Sequence, residues 1–129
     1  MNKARLTVLS DFLHDLPDHK FSILQWRTGC GSVCCAGGWA CTIPEFQEAG
    51  LHFTQDGQPM FIACPYPTLS TEKVPMTGYH ALAYFFGLSH FTTTMVFGPD
   101  NYQLKLGQDH VTLDQVRERL FNLITSPCP

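Results

Sequence analysis

Four cysteines, Cys30, Cys34, Cys35 and Cys41, fall within twelve residues, in the run TGCGSVCCAGGWAC from Thr28 to Cys41. A thiol does chemistry as its thiolate, and a thiolate is favoured where free amide hydrogens and a helix dipole meet it. Ser32 is a good helix N-cap, so a helix from Val33 to Cys41 would carry Cys34 and Cys35 at its second and third positions. That is a place for a nucleophile. The same four thiols could hold zinc, but structural zinc usually shows two ligand pairs at two- to four-residue separation. Cys30-x-x-x-Cys34 is one permissible pair, no Cys-x-x-Cys occurs, and a second pair is missing. The plainer reading is packing: cysteine is a small apolar filler and among the most buried residue types. On it, Cys34, Cys35 and Cys41 fill the space beside Gly37 and Gly38, and no metal or other cofactor is expected.

A nucleophilic cysteine needs a base. His80 falls three residues after Thr77, in a first helical turn, and Asp100 and Asn101 follow, so Cys35 or Cys34 with His80 and Asn101 repeats the Cys, His, Asn order of papain-like hydrolases. The local sequence departs from that type, because Val33 and a second cysteine intervene after Cys30-Gly31-Ser32 and Trp39 comes later. The other histidines stand singly. His14 and His19 flank Pro17 in a polar turn, His52 sits in a hairpin, and His90 and His110 stand beside helix starts. Without a spaced partner, each reads as a solvated or hydrogen-bonded side chain, with His52 and His80 expected to be half-buried.

Aromatic side chains supply the third feature. Tyr79, Tyr84, Phe85, Phe86, Phe91 and Phe97 lie within nineteen residues, more than one helix face can bury. Tyr79 and Tyr84 fall partly off the core stripe, and with Trp39 they are the candidates for a surface that binds a protein partner or a planar ligand. No phosphate-binding loop accompanies them: Gly29-x-Gly31 and Gly37-Gly38 follow no strong strand and lack a Lys-Ser/Thr pair.

Composition narrows the classes. The chain has 129 residues, 44% of them apolar and only 15% charged, with a net charge of −3. One domain spanning residues 1–129 is expected, with a core that needs no metal or disulfide. Disorder is excluded, the eight basic residues are too few and scattered for a nucleic-acid partner, and no run approaches a membrane span. The N-terminal apolar stretch is broken by Asp11, His14 and Asp15, which is unlike a secretory signal, so a cytoplasmic location with reduced cysteines is expected. A charge-poor surface of this size invites self-association, and a homodimer is a further expectation.

The elements that must position these residues are mostly short. Leu6, Leu9, Leu13 and Leu16 with Phe12 mark an amphipathic helix capped by Asn2 and closed before Pro17. Phe21 to Trp26 reads as a brief strand or extended connector. Gly37 and Gly38 inside a helix cost roughly 1 kcal/mol each, which implies close approach of a neighbouring backbone. Pro44 to Ala49 is a helix stopped by Gly50. Leu51–Thr54 and Pro59–Ile62 around Asp56-Gly57 form a hairpin, and Cys64 to Pro75 should be loop. Thr77 caps a helix that Gly87 ends, with Leu88 as the contact of a left-handed cap. Ser89 opens a helix over His90 to Phe97. Thr112 and Gln115 form a capping box, with Val111 and Val116 as its staple, before a helix stopped at Ser126-Pro127. The fold class is therefore α+β, several short helices with one small antiparallel sheet.

These same residues carry a resemblance. Cys30-Gly31-Ser32-Val33-Cys34-Cys35-Ala36-Gly37-Gly38-Trp39-Ala40, Pro44-Glu45-Phe46 and Ala83-Tyr84-Phe85-Phe86-Gly87-Leu88 occur in that order. The chain resembles a loose group of small uncharacterised bacterial and phage proteins. In that group a Cys-Gly-Thr/Ser-x-x-Cys-x-x-Gly-x-Ala segment precedes an Ala-x-x-Phe-Phe-Gly-Leu helix. The resemblance matches Cys30, Cys35, Gly38 and Ala40 to the group's pattern and leaves Cys34 and Cys41 as additions. It implies a phage or mobile-element accessory protein and no particular activity. The expectation is a non-enzymatic binding module for a host protein or small-molecule ligand, with a Cys/His hydrolase and a zinc-stabilised domain as alternatives.

Overall fold

Leucines at three- and four-residue steps build the first helix, α1 (Lys3–His14), and Leu6, Leu9 and Leu13 on it are fully buried. Asn2 Oδ1 accepts the Arg5 amide at 3.0 Å, which makes Asn2 the N-cap. The computed structural model describes residues 1–24, 26, 33–64, 69, 71–99, 102, 104, 108 and 111–125. Among the described residues five further α-helices and three strands follow: α2 (Ala36–Ala40), α3 (Pro44–Glu48), β1 (His52–Phe53), β2 (Pro59–Ala63), β3 (Val74–Thr77), α4 (Gly78–Phe86), α5 (His90–Phe97) and α6 (Leu113–Thr125). The class is α+β, and none of these helices is long and apolar enough to cross a membrane.

The strands form one antiparallel sheet in the order β1-β2-β3, with Phe53 opposite Pro59 and Ile62 opposite Pro75. Here the expectation of loop up to Pro75 is corrected. Val74 to Thr77 is a strand, and its proline is accommodated because β3 lies on the outside of the sheet, where a missing N–H disrupts no inner ladder. Helix α4 packs across β2 and β3. Phe61 from β2 meets Phe85 edge-on at 5.2 Å, Phe85 meets Phe46 of α3 at 4.9 Å, and Phe86 stacks on Phe97 of α5 at 5.7 Å. These rings form the middle of the core.

Charged side chains close the ends of this core. The Arg5 guanidinium lies 4.1 Å from the Phe85 ring centroid and donates to the Phe85 carbonyl at 2.8 Å, at the C-terminus of α4. Arg117 of α6 donates to the carbonyls of Leu13 and Leu16, both at 2.8 Å, and so binds the end of α1 to α6. The capping box of α6 is as expected: the Thr112 amide donates to Gln115 Oε1 at 3.0 Å and the Gln115 amide to Thr112 Oγ1 at 3.3 Å. Gly87 ends α4 at φ +67°, and the Leu88 amide donates back to the Ala83 carbonyl at 2.8 Å. Ser89 Oγ accepts the Thr92 amide at 3.1 Å and caps α5, as its sequence suggests.

The segment entering α2 departs from expectation. The helix begins at Ala36, with Cys35 in extended backbone as its N-cap, so Ser32 is not the cap and Cys34 and Cys35 are not first-turn residues. The reason is a competing pairing. Cys34 forms a parallel bridge with Phe21: its amide donates to the Lys20 carbonyl at 3.3 Å and its carbonyl accepts the Ser22 amide at 3.2 Å. A backbone committed to that bridge cannot also turn into a helix. The anticipated close approach at the glycines is present. A Cβ built on Gly38 would stand 1.7 Å from the Trp26 carbonyl oxygen, and one on Gly37 would stand 2.7 Å from Trp26 Cζ3 and Leu82 Cδ1.

Alanine normally stabilises an exposed helix by about 1 kcal/mol relative to glycine. At position 38 the sign reverses, because the obstacle is backbone and cannot rotate away. Denaturant titration of Gly38→Ala should show a loss of about 3 kcal/mol or more, or no cooperative folding. A neutral or stabilising result would mean that Trp26 does not sit over α2.

Candidate functional site

Burial decides the state of the thiols. Cys34, Cys35 and Cys41 are 0%, 3% and 1% exposed. Burial pushes the Cys35 thiol up to about 12, and the opposing pull of the Gly38 and Gly37 amides is too small to prevent it. Cys41 is also pushed up to about 12, first by burial and then by the neighbouring Cys35 and Cys34 sulfurs; its Sγ donates to the Gly37 carbonyl at 3.5 Å. Such groups are neutral thiols at physiological pH and poor nucleophiles. Cys35 borders a cavity of about 80 Å³, room for a few water molecules, together with Trp26, Tyr79, Phe97 and Pro99.

His80 lies elsewhere. It is exposed, not half-buried as anticipated, and it borders a cleft of about 390 Å³ with Ala83, Tyr84, Gly87, Leu88 and His90. Cys35 and His80 thus face different hollows. Asn101, the third member of the papain-like order, and Cys30, the first thiol of the candidate zinc set, lie outside the described residues. Among the described residues, no three His, Cys, Asp or Glu side chains gather in a way that could hold a metal ion.

The three recognition candidates also separate. Tyr79 is half-buried and meets Trp26 edge-on at 5.1 Å, so it belongs with the wall of the Cys35 cavity. Trp39 is anchored: its indole N–H donates to the Lys20 carbonyl at 2.8 Å and its ring lies 5.8 Å from Phe12, beside a groove of about 270 Å³. Tyr84, 40% exposed, is the one of the three that stands in the larger cleft.

That cleft has a simple construction. The apolar face of α4 (Ala81, Leu82, Phe85, Phe86) turns into the core, which leaves His80 and Tyr84 outside, one turn apart. The left-handed turn at Gly87 then brings α5 back against α4, and its first residue, His90, meets His80 with ring centroids 5.0 Å apart and planes 28° from parallel. Phe91, 72% exposed, follows on α5. Sequence reasoning named Tyr84 and His80 but treated His90 as solitary. The one available signal was the Gly87 stop with a Ser89 cap two residues later, which announces a tight return between helices.

No known protein family, curated protein or solved structure matches this chain.

The thiols set a pH dependence. Unfolded thiols ionise near 9 and these two near 12, so between those values the unfolded state holds fewer protons than the folded one. Their contribution to stability is complete below pH 9 and is lost as pH rises toward 12. Denaturant midpoints should fall from about pH 8 to about pH 10.5, and less steeply in a Cys35→Ala/Cys41→Ala variant. In the native protein at pH 8, Cys34, Cys35 and Cys41 should alkylate no faster than global unfolding exposes them, as read by mass spectrometry of digested protein. Rapid labelling of Cys35 would contradict the burial argument.

Proposed function

We propose that the protein is a non-enzymatic binding module, a phage or mobile-element accessory protein that acts by stoichiometric engagement of a host protein or a small molecule. The observation that carries this reading is the α4–α5 cleft. Among the described residues its lining (His80, Ala83, Tyr84, Gly87, Leu88 and His90) includes no Asp, Glu, Lys or Arg; Tyr84 in it, and Phe91 next to His90 in the chain, keep 40% and 72% of their surface in water. Its volume of about 390 Å³ falls within the usual range of ligand pockets. Exposed aromatic groups contribute large contact area at small entropy cost, which is why they dominate interface energetics.

Two further features support it. The buried thiols are protected from reaction, which weakens the hydrolase alternative. Cys35 and Cys41 are free thiols, which suits a reducing cytosol. A second copy of the chain remains a candidate occupant of the same surface.

The test uses the purified protein as bait in bacterial lysate. A captured partner is then purified, and its complex with the wild type is compared with Tyr84→Ser and Phe91→Ser. The expectation is a complex of fixed stoichiometry that each substitution weakens by about tenfold or more while the melting temperature is unchanged. Turnover of a generic ester, amide or nucleotide substrate, abolished by Cys35→Ser, would overturn the reading.

A further inference from the structure

His80, Ala83, Tyr84 and Gly87 follow one another at three- and four-residue steps, so they share one stripe that runs along α4 to its cap. Leu88 and His90, from the turn and the start of α5, complete the cleft over that stripe. Ala83 and Gly87 contribute only a methyl group and a hydrogen, which leaves the cleft to the rings of His80, Tyr84 and His90. His80 and His90 are stacked, with centroids 5.0 Å apart and planes 28° from parallel, inside the roughly 4.5–7 Å range of paired rings. Both are exposed, as is Tyr84. A stack of two exposed rings ends in flat faces, and such a face is where a further planar π-system gains contact.

We infer that this cleft takes an uncharged, planar nitrogen heterocycle of the nucleobase class. The rings supply π-faces, and their edges carry imidazole nitrogens and a phenolic hydroxyl. A hydrocarbon ring would strip those edges of water and leave them unpaired, whereas the ring nitrogens and exocyclic groups of a base can pair with them. Among the described residues no Asp, Glu, Lys or Arg lines the cleft, so a phosphate or carboxylate on the ligand would meet no such counter-charge there. That favours a free base over a nucleotide or a nucleic-acid strand, in keeping with the net charge of −3. A volume of about 390 Å³ lies at the small end of the roughly 300–1,000 Å³ of ligand pockets, the scale of a one- or two-ring molecule. The inference rests on the binding-module reading of this cleft and narrows its occupant to a small molecule.

Proton NMR of the purified protein, titrated in turn with adenine, hypoxanthine, cytosine and uracil, tests it. The expected result is that at least one base moves the His80 and His90 ring protons upfield, as stacking requires, and saturates one site per chain. Tyr84→Leu and His90→Leu should each lower that affinity about tenfold, and His19→Leu, an exposed histidine elsewhere, should leave it unchanged. Adenosine monophosphate should bind no more tightly than adenine. Circular dichroism of each variant verifies the fold, which these exposed positions should preserve. The proposal is overturned if no base saturates the site up to about 10 mM, a concentration that would detect even very weak binding. Affinity retained by either cleft variant, or a tenfold preference for the phosphorylated ligand, would overturn it equally. If no base binds while a captured protein still loses affinity with Tyr84→Ser and Phe91→Ser, this inference falls and the binding-module reading stands.

Discussion

The carbonyl of Trp26 occupies the space that any side chain at position 38 would need, and much of the molecule is arranged around that contact. Only hydrogen at residues 37 and 38 lets α2 slide under the Trp26 segment, and the contact draws several elements with it. Leu82 of α4 reaches Gly37 from one side, the Trp26 indole covers it from the other, and Tyr79 meets that indole edge-on. Phe21 pairs with Cys34, and the Trp39 indole N–H holds the Lys20 carbonyl. The sulfurs of Cys34, Cys35 and Cys41 fill what remains. They are suited to this place because a thiol is small, weakly polar and tolerant of dry surroundings. The same burial that makes them good fillers keeps the Cys35 and Cys41 thiols protonated and chemically quiet.

The rest of the core is conventional by comparison. Rings from α3, β2, α4 and α5 meet mostly edge-on, and α1 and α6 close over them with Arg117 tying the end of one to the side of the other. The arrangement commits one face of α4 and leaves the other in water. A rigid scaffold that presents an aromatic and imidazole surface on two packed helices is the kind of platform on which recognition can be built with little entropy to lose on binding.

What was legible in the sequence was whatever depends on near neighbours. The leucine spacing of α1, the Asn2 cap, the Asp56-Gly57 hairpin, the Gly87 stop and the Thr112–Gln115 box are set by interactions over a few residues, and each is found where the pattern puts it. The glycine pair also announced a close approach, without saying which backbone makes it. The failures share a cause. Cys35, not Ser32, caps α2 because Cys34 is held by Phe21, thirteen positions away, and no local rule foretells that bridge. Prolines hid β3, since proline disfavours a strand everywhere except at its outer edge. The pairing of His80 with His90 depends on how two helices pack after a glycine turn, so the histidines looked solitary in the chain.

The account stands on the joint between α2 and the Trp26 segment being closed in the native state, and native-state hydrogen exchange measures that most directly. The Trp39 amide donates to the Cys35 carbonyl at 2.9 Å and the Cys34 amide to the Lys20 carbonyl at 3.3 Å. With increasing denaturant below the unfolding transition, both should exchange only with the free energy of global unfolding, together with the core amides of α4. Exchange of either through a local opening several kcal/mol cheaper than global unfolding would show that the thiols are reached by water in the folded protein, and the account would be wrong at its centre.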